Sequence, residues 1–383
     1  MKEKTNTIFR ALKTTTALAI TFFCISSYAN TKFYGRNVKR LSMPPSVQLK
    51  EPPRLLDKNS FSVILLGDPQ GYQKYESSQG VFDVMTAWTA QQKETLNVMT
   101  VLCTGDLVDS NSLILSNGSL ASPQCSNQPS SLQWKSVSKA FERLDNVYPY
   151  IIATGNHDYG IEASESKISE FPKYFDVSRN QKQWANHIIS YCPSAFGEST
   201  LENAAYEFYD KNWGDMLFIA MEFSPRDEVL EWANKLCASK KFKNHKIFVI
   251  THSILENDGS FRKDNYPFAP NDGKAVFEKL LKKHGNIKLA ICGHTCTESV
   301  MAAFRKEKKD DGKTLPIMMF NPQFISGALG GNGGDGWLRI LEFKPDGKTI
   351  SVRTYSPAFA FSQKTEHLSW EKSPEHQFDI VIE

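Results

Sequence analysis

Ile151-Ile152-Ala153-Thr154-Gly155-Asn156-His157-Asp158 is an apolar run that breaks at a glycine and then presents an amide, an imidazole and a carboxylate in consecutive positions. Such a run reads as a buried strand ending in a turn, and α/β sheets gather their chemistry at the carboxyl ends of strands. The same design recurs along the chain. Phe61 to Leu66 leads into Gly67-Asp68-Pro69-Gln70, and Val98 to Cys103 leads into Gly105-Asp106-Leu107-Val108-Asp109. Ile247 to Ile250 delivers Thr251-His252, and Ile287 to Cys292 delivers Gly293-His294-Thr295-Cys296. One such junction says little. The ordered set predicts strand ends converging on one polar centre.

Between these strands the hydrophobic period changes. Val81, Val84, Met85, Trp88 and Leu96 form an apolar stripe that predicts a helix over 81–98, and Trp134, Val137, Phe141 and Leu144 space as a second helix face. Glu228 to Ser239 and Gly273 to His284 predict two more, the latter stopped at Gly285. Ala205 to Phe223 reads as a hairpin turning at Asn212-Trp213-Gly214-Asp215. Residues 314–361 read as strands, with a Gly-rich turn at Gly327 to Gly336. Strands alternating with helices and then passing to a run of strands, without an internal repeat, predict one domain with a two-layer sheet and helices outside. The polar loop 110–131 is expected at the substrate rim, and 253–272 is another polar loop. The aromatic segment 159–200 reads equally as a lid or pocket wall and as a loop packed down by its own rings.

A chain of 383 residues with 40% hydrophobic content can bury a full core. Its net charge of +3, mixed in sign, argues against a basic surface sized for nucleic acid. Lys2, Lys4, Arg10 and Lys13 precede the apolar stretch Ala17 to Ile25, and Ser27-Tyr28-Ala29 follows with small residues at the positions a signal peptidase reads. Residues 1–29 are therefore expected to be a signal peptide cleaved near Ala29, giving a periplasmic or secreted protein with no transmembrane segment in the mature chain. Residues 30–59, with Pro44, Pro45, Pro52 and Pro53, read as an extended arm, 60–362 as the domain and 363–383 as a C-terminal extension. Cys103 and Cys292 lie in apolar strands and Cys237 on a helix, whereas Cys125 and Cys192 lie in loops where export permits a disulfide.

Asp, Asn and His groups converging from strand ends suit Mn²⁺, Fe, Zn²⁺ or Mg²⁺ rather than a thiolate cluster. A carboxylate can bridge two such ions roughly 3.5–4 Å apart, an arrangement that clamps phosphoryl oxygens and activates water.

The series Gly105-Asp106-Leu107-Val108-Asp109, Gly155-Asn156-His157-Asp158, the isolated His252 and Gly293-His294 resembles the ordered motifs of calcineurin-like metallophosphoesterases. The resemblance implies a four-layer α/β/β/α sandwich, two divalent metal ions and hydrolysis of phosphate mono- or diesters by a metal-bound hydroxide. It implies that Asp106 bridges the ions, that Asn156, His252 and His294 complete the second metal site, and that Asp68 holds the first. His157 would act as general acid, oriented by Asp158, with Asp109 as an outer partner toward His157. Two motifs depart from the family pattern, and both fall on the first ion. Asp68-Pro69-Gln70 replaces the usual Asp-x-His, and Gly293-His294-Thr295-Cys296 replaces Gly-His-x-His, so that Gln70 and Cys296 become the candidate ligands. Alternatives are a metal-binding interaction module with weakened catalysis, motivated by those two changes, and a protein whose 159–200 segment binds a partner.

Overall fold

The computed structural model describes residues 52–112, 126–325 and 332–383, which fall within one compact unit, Leu49–Glu383. The predicted signal peptide, residues 30–51 of the predicted arm, Cys125 and much of both the 110–131 loop and the Gly-rich turn lie outside the described residues.

The chain opens with β1 (Phe61–Leu66), α1 (Glu76–Gln91), β2 (Val98–Cys103), α2 (Ser130–Phe141) and β3 (Ile151–Ile152). It continues through β4 (Ile188–Tyr191), β5 (Ala204–Asp210), β6 (Gly214–Ala220), α3 (Asp227–Ala238), β7 (Lys246–Ile250), α4 (Gly273–Lys279) and β8 (Ile287–Cys292). The final strands are β9 (Ala302–Lys308), β10 (Thr314–Phe320), β11 (Leu338–Phe343), β12 (Thr349–Tyr355), β13 (Trp370–Glu371) and β14 (Gln377–Val381).

Among the described residues these strands make two seven-stranded sheets. The first runs β13-β12-β11-β1-β2-β3 with β14 beside β12, and the second runs β4-β5-β6-β7-β8-β10-β9. The strands that carry the motifs pair with one another in parallel: β1 with β2, β2 with β3, and β7 with β8. Their carboxyl ends therefore lie along one side of each sheet. The 363–383 segment contributes strands of its own, since Gln377 to Val381 pairs with Arg353 to Thr349 on β12.

Strand periodicity separates the layers. On β6, Met216, Phe218 and Ala220 face the core between the sheets, whereas Leu217 and Ile219 face outward beneath Val229, Leu230 and Ala233 of α3. β7 repeats this split with Phe248 and Ile250 inside and Ile247 and Val249 outside, where Val276 and Phe277 of α4 cover them. Phe82 and Met85 of α1 and Trp134, Val137 and Phe141 of α2 join the core on the first sheet. The result is the α/β/β/α sandwich that the resemblance implied. At the end opposite the motifs Trp213 packs against Phe343 and Phe248, and Phe61 stacks on Phe343 at 4.7 Å. Each such aromatic pair adds about 0.5–1.5 kcal/mol beyond its buried area, which makes this end a structural anchor.

Several boundaries differ from the sequence reading, two of them with a clear local cause. The helix expected over 81–98 spans Glu76–Gln91, because Ser77, Ser78 and Gly80 hide its polar first turns and Asn97, at φ 43°, turns the chain into β2. The 205–223 hairpin turns one step earlier, where the Asp210 carboxylate accepts the main-chain N–H groups of Asn212 (2.8 Å) and Trp213 (3.0 Å). Phe171, Phe175 and Trp184 of the 159–200 segment are buried and belong to the core, so these rings pack the segment down. No helix among the described residues is long and apolar enough to cross a membrane.

Candidate metal centre

Five loops leave the parallel strands and meet. Two glycines permit their contact. A Cβ on Gly155 would stand 2.1 Å from Asp106 Oδ1, and a Cβ on Gly293 would stand 2.1 Å from Asp68 Oδ1. Only hydrogen fits in either place, which is why both motifs open with glycine. Asp106 and His294 hold left-handed backbones, φ 47° and 71°, an unfavourable conformation for residues with side chains. Such strain persists where surrounding contacts over-determine it, as at functional sites. Here the His157 N–H donates to Asp106 Oδ1 (2.9 Å) and the His294 N–H donates to Asp68 Oδ2 (2.8 Å).

At the centre, Asp106, His252 and His294 each bring a ligand-capable atom within 4.8 Å of the others. His252 is buried, and its Nδ1 donates to the Thr104 carbonyl at 2.9 Å, so Nε2 faces inward. Three atoms lie 3.1 Å from that nitrogen: Asp106 Oδ2, Asn156 Oδ1 and His294 Nδ1. The other nitrogen of His294 faces the Asp264 carboxylate at 3.4 Å, which leaves Nδ1 as an acceptor. Four lone pairs thus converge with one positive charge needed among them. A single proton on His252 can serve one neighbour at a time, whereas a cation serves all four. Burial works against a charged His252, yet the Asp106 and Asp68 carboxylates outweigh it and push its pKa up to about 10. The pocket draws positive charge.

The first-ion residues lie beside this cluster. Asp68 is buried and accepts from Thr104 Oγ1 (2.6 Å) as well as from Asn321 Nδ2 (2.6 Å). Burial, opposed by His252 and reinforced by Asp106, holds its pKa up near 7, the mark of a carboxyl short of a counter-charge. Gln70 is 5% exposed, and its main-chain N–H donates to the Asp106 carbonyl at 2.8 Å. Its Nε2 donates to Asp109 Oδ1 at 2.9 Å, while its Oε1 is buried without a hydrogen-bond partner. An oxygen acceptor left bare in the interior fits a cation. Cys296 is half-buried beside Gln323 and the main chain of Phe324, and its thiol pKa is raised by burial and by the Asp68 and Asp106 carboxylates. It is not one of the three residues brought together most closely. The donor set as a whole suits divalent cations held by oxygen and imidazole.

The role expected of Asp158 needs correction, whereas Asp109 does face His157, through its main chain. The His157 ring is oriented by the main-chain oxygen of Asp109, which accepts from Nδ1 at 2.7 Å. Asp158 does not reach that ring. Its carboxylate accepts from the N–H groups of Leu107 (2.8 Å), Val108 (3.3 Å) and Gly155 (2.7 Å), tying the two central motifs together. A buried carboxylate needs donors, and the main-chain N–H groups of these two turns supply them. The Asp109 carboxylate pairs with Gln70 and, at 3.4 Å, with Lys74.

Several neighbours were not legible as site residues. Asp264, in the loop read only as polar, accepts from Ser253 Oγ (2.8 Å) and Arg262 Nε (3.0 Å) and backs His294. Asn321 bonds both Asp68 and the His294 carbonyl. Tyr266 and Phe223 stand with ring centroids 5.8 Å from His294, forming an aromatic wall. Cys103, Cys192, Cys237 and Cys292 are buried thiols, and Cys125, the candidate partner of Cys192, lies outside the described residues.

The Bacillus subtilis (strain 168) protein described as "Uncharacterized protein YvnB" is 27% identical over 324 residues. The match covers 84% of this chain and 21% of that protein, so the chain spans about a fifth of its relative's length. A dimetal phosphatase from Danio rerio is 12% identical, with a TM-score of 0.46, covering 84% of this chain and 99% of that one. The purple acid phosphatase PPD1 from yellow lupin (Lupinus luteus) is 13% identical, also with a TM-score of 0.46, covering 86% and 55%. The family profile described as calcineurin-like phosphoesterase matches residues 61–298, from the first residue of β1 to just past Cys296, and the chain belongs to that family.

Proposed function

We propose that the protein is a metal-dependent phosphoesterase that hydrolyses phosphate mono- or diesters at a dinuclear centre. The observation that carries this reading is the convergence of Asp106, Asn156, His252 and His294 acceptors on one point, beside the bare Gln70 oxygen and the charge-starved Asp68. Asp106, Asn156, His252 and His294 would hold one ion, and Asp68, Gln70, Asp106 and Cys296 the other. When bound, the ions supply Lewis acidity toward the phosphoryl oxygens and lower the pKa of water.

The remaining steps belong to the chain. Asn156 Nδ2 is a buried donor without a hydrogen-bond partner, and would donate to a phosphoryl oxygen brought against the ions. His157 is half-buried, and the Asp109 carbonyl holds the hydrogen on Nδ1, so Nε2 is the nitrogen that trades protons. As water adds to phosphorus and the P–O bond breaks, the departing alkoxide takes the proton that His157 Nε2 carries, and the proton surrendered by the water restores it. Asp158 keeps the 105–108 and 155–158 loops in register while this happens.

The test is turnover of p-nitrophenyl phosphate and bis(p-nitrophenyl) phosphate by chelator-stripped full-length protein reloaded with Mn²⁺, Zn²⁺, Fe²⁺ or Mg²⁺. Hydrolysis that appears with metal and vanishes with chelator is expected. A rate equal to buffer with every metal overturns the reading. A related prediction concerns Asp264, which acts through His294. Asp264→Ala is expected to weaken metal binding about 10–100-fold, as loss of a ligand-orienting carboxylate does elsewhere. Calorimetric titration with Mn²⁺ reads this directly, and an unchanged affinity would remove Asp264 from the account.

A further inference from the structure

Asp109 is bonded through its main-chain nitrogen, its main-chain oxygen and its carboxylate. Its N–H donates to Gln133 Oε1 at 2.7 Å, and its carbonyl accepts from His157 Nδ1 at 2.7 Å. Its carboxylate Oδ1 accepts from Gln70 Nε2 at 2.9 Å and from Lys74 Nζ at 3.4 Å. The Asp109 side chain is 12% exposed and that of Lys74 10%, so the group is largely shielded from water.

The consequence lies in the amide of Gln70. A primary amide presents two donors at one end and lone pairs at the other, and a half-turn about its terminal torsion exchanges them. A carboxylate only accepts, so the end that meets Asp109 must be the NH₂ end. That fixes Oε1 as the free end, and Oε1 is the buried atom without a partner. Were the amide reversed, two N–H groups would face a cation in place of a lone pair. An imidazole ligand carries no such ambiguity at its free nitrogen once the other is bonded, so a Gln in this position depends more on its anchor. Lys74, bonded to the same oxygen as Gln70, balances the Asp109 charge and keeps that carboxylate turned toward the anchor.

We infer that Asp109 is a positioning residue for the first ion, acting through Gln70 by holding its amide with the oxygen presented as a ligand. This rests on the dinuclear reading above. It also assigns the Asp109 side chain to the metal and only its main chain to His157, so a side-chain substitution separates the two.

The experiment is calorimetric titration of Mn²⁺ into chelator-stripped full-length protein, for wild type, Asp109→Leu, Asp109→Asn, Gln70→Ala and the Gln70→Ala/Asp109→Leu double variant. Wild type is expected to take two ions. Asp109→Leu should weaken one of the two by about 10–100-fold and leave the other. Asp109→Asn, whose amide oxygen can still accept from Gln70, should recover part of that loss. In the Gln70→Ala background Asp109→Leu should add nothing, the signature of one residue acting through another. Thermal melts of each variant establish that the protein titrated is folded. Equal affinities in wild type and Asp109→Leu, or a further loss in the double variant, would overturn the inference. A wild type that takes fewer than two ions would instead overturn the dinuclear reading, and the inference with it.

Discussion

Asp106→Asn is expected to abolish metal-dependent hydrolysis while leaving the fold intact. The two residues have the same shape, and the His157 N–H that bonds Asp106 Oδ1 finds an acceptor in either. The second oxygen is where they differ. In the native chain it lies 3.1 Å from His252 Nε2, among the converging acceptors. The amide puts two N–H groups there and removes the negative charge shared between the proposed ions. Loss of several kcal/mol of charge stabilisation, about 4, corresponds to a fall in kcat/KM of about 10³-fold. Steady-state hydrolysis of p-nitrophenyl phosphate and metal content measured together check it. Turnover within tenfold of wild type at full metal content would place the chemistry elsewhere.

Glu222→Leu is expected to be the most destabilising single change in the loops behind the site. Glu222 follows β6 by two residues, is 1% exposed, and accepts from Arg226 Nε (2.9 Å) and Asn203 Nδ2 (2.9 Å). Lys167, reaching in from the 159–200 segment, lies 3.6 Å from the same carboxylate, with its ammonium 5.0 Å from the Tyr159 ring centroid. The pair therefore fastens that segment to the loop carrying Phe223. Removing the carboxylate leaves the Lys167 ammonium buried without its counter-charge, which costs about 3–5 kcal/mol. The double change Lys167→Met/Glu222→Leu should recover part of that loss, because it removes the unpaired ammonium while Arg226 and Asn203 still lack the carboxylate. Guanidinium unfolding of the three proteins checks both statements, and a loss under about 1 kcal/mol for Glu222→Leu would contradict them.

The same residue sets a pH dependence. Burial pushes the Glu222 carboxyl up, but Lys167 and Arg226 outweigh it and hold its pKa below the ordinary 4.5. A carboxyl with a lowered folded pKa contributes stability above its unfolded pKa and loses it as pH falls through the folded one. Stability of the native protein should therefore decline on acidification below about pH 4.5 more steeply than that of the double variant.

How much of this was legible in the sequence follows from how each residue is encoded. The strands that carry the motifs are buried on both faces, so they read as largely apolar runs, and the residues after them stand out by contrast. Asp106, Asn156, His252 and His294 were found in that way, and the structure brings all four together. Asp264 and Asn321 were not, because each sits in a loop without period and meets its partner across a long stretch of chain. Asn321 reaches Asp68 over 253 residues. The Lys167–Glu222 pair was hidden for the same reason. Asp158 was recognised as important but given the wrong neighbour, since adjacency in sequence to His157 says nothing of where a carboxylate turns. The edge strand β13 is only two residues long, and the short alternation of Phe378, Ile380 and Ile382 that carries β14 is brief enough to pass as the tail of a C-terminal extension.

The central claim is that two metal ions sit among these side chains, and anomalous diffraction from a crystal of the full-length protein soaked in Mn²⁺ or Zn²⁺ tests it most directly. The account predicts two peaks sharing Asp106, one among Asn156, His252 and His294 and the other between Asp68 and the Gln70 oxygen. No peak at Asp106 after soaking, or ions bound only elsewhere, would contradict it.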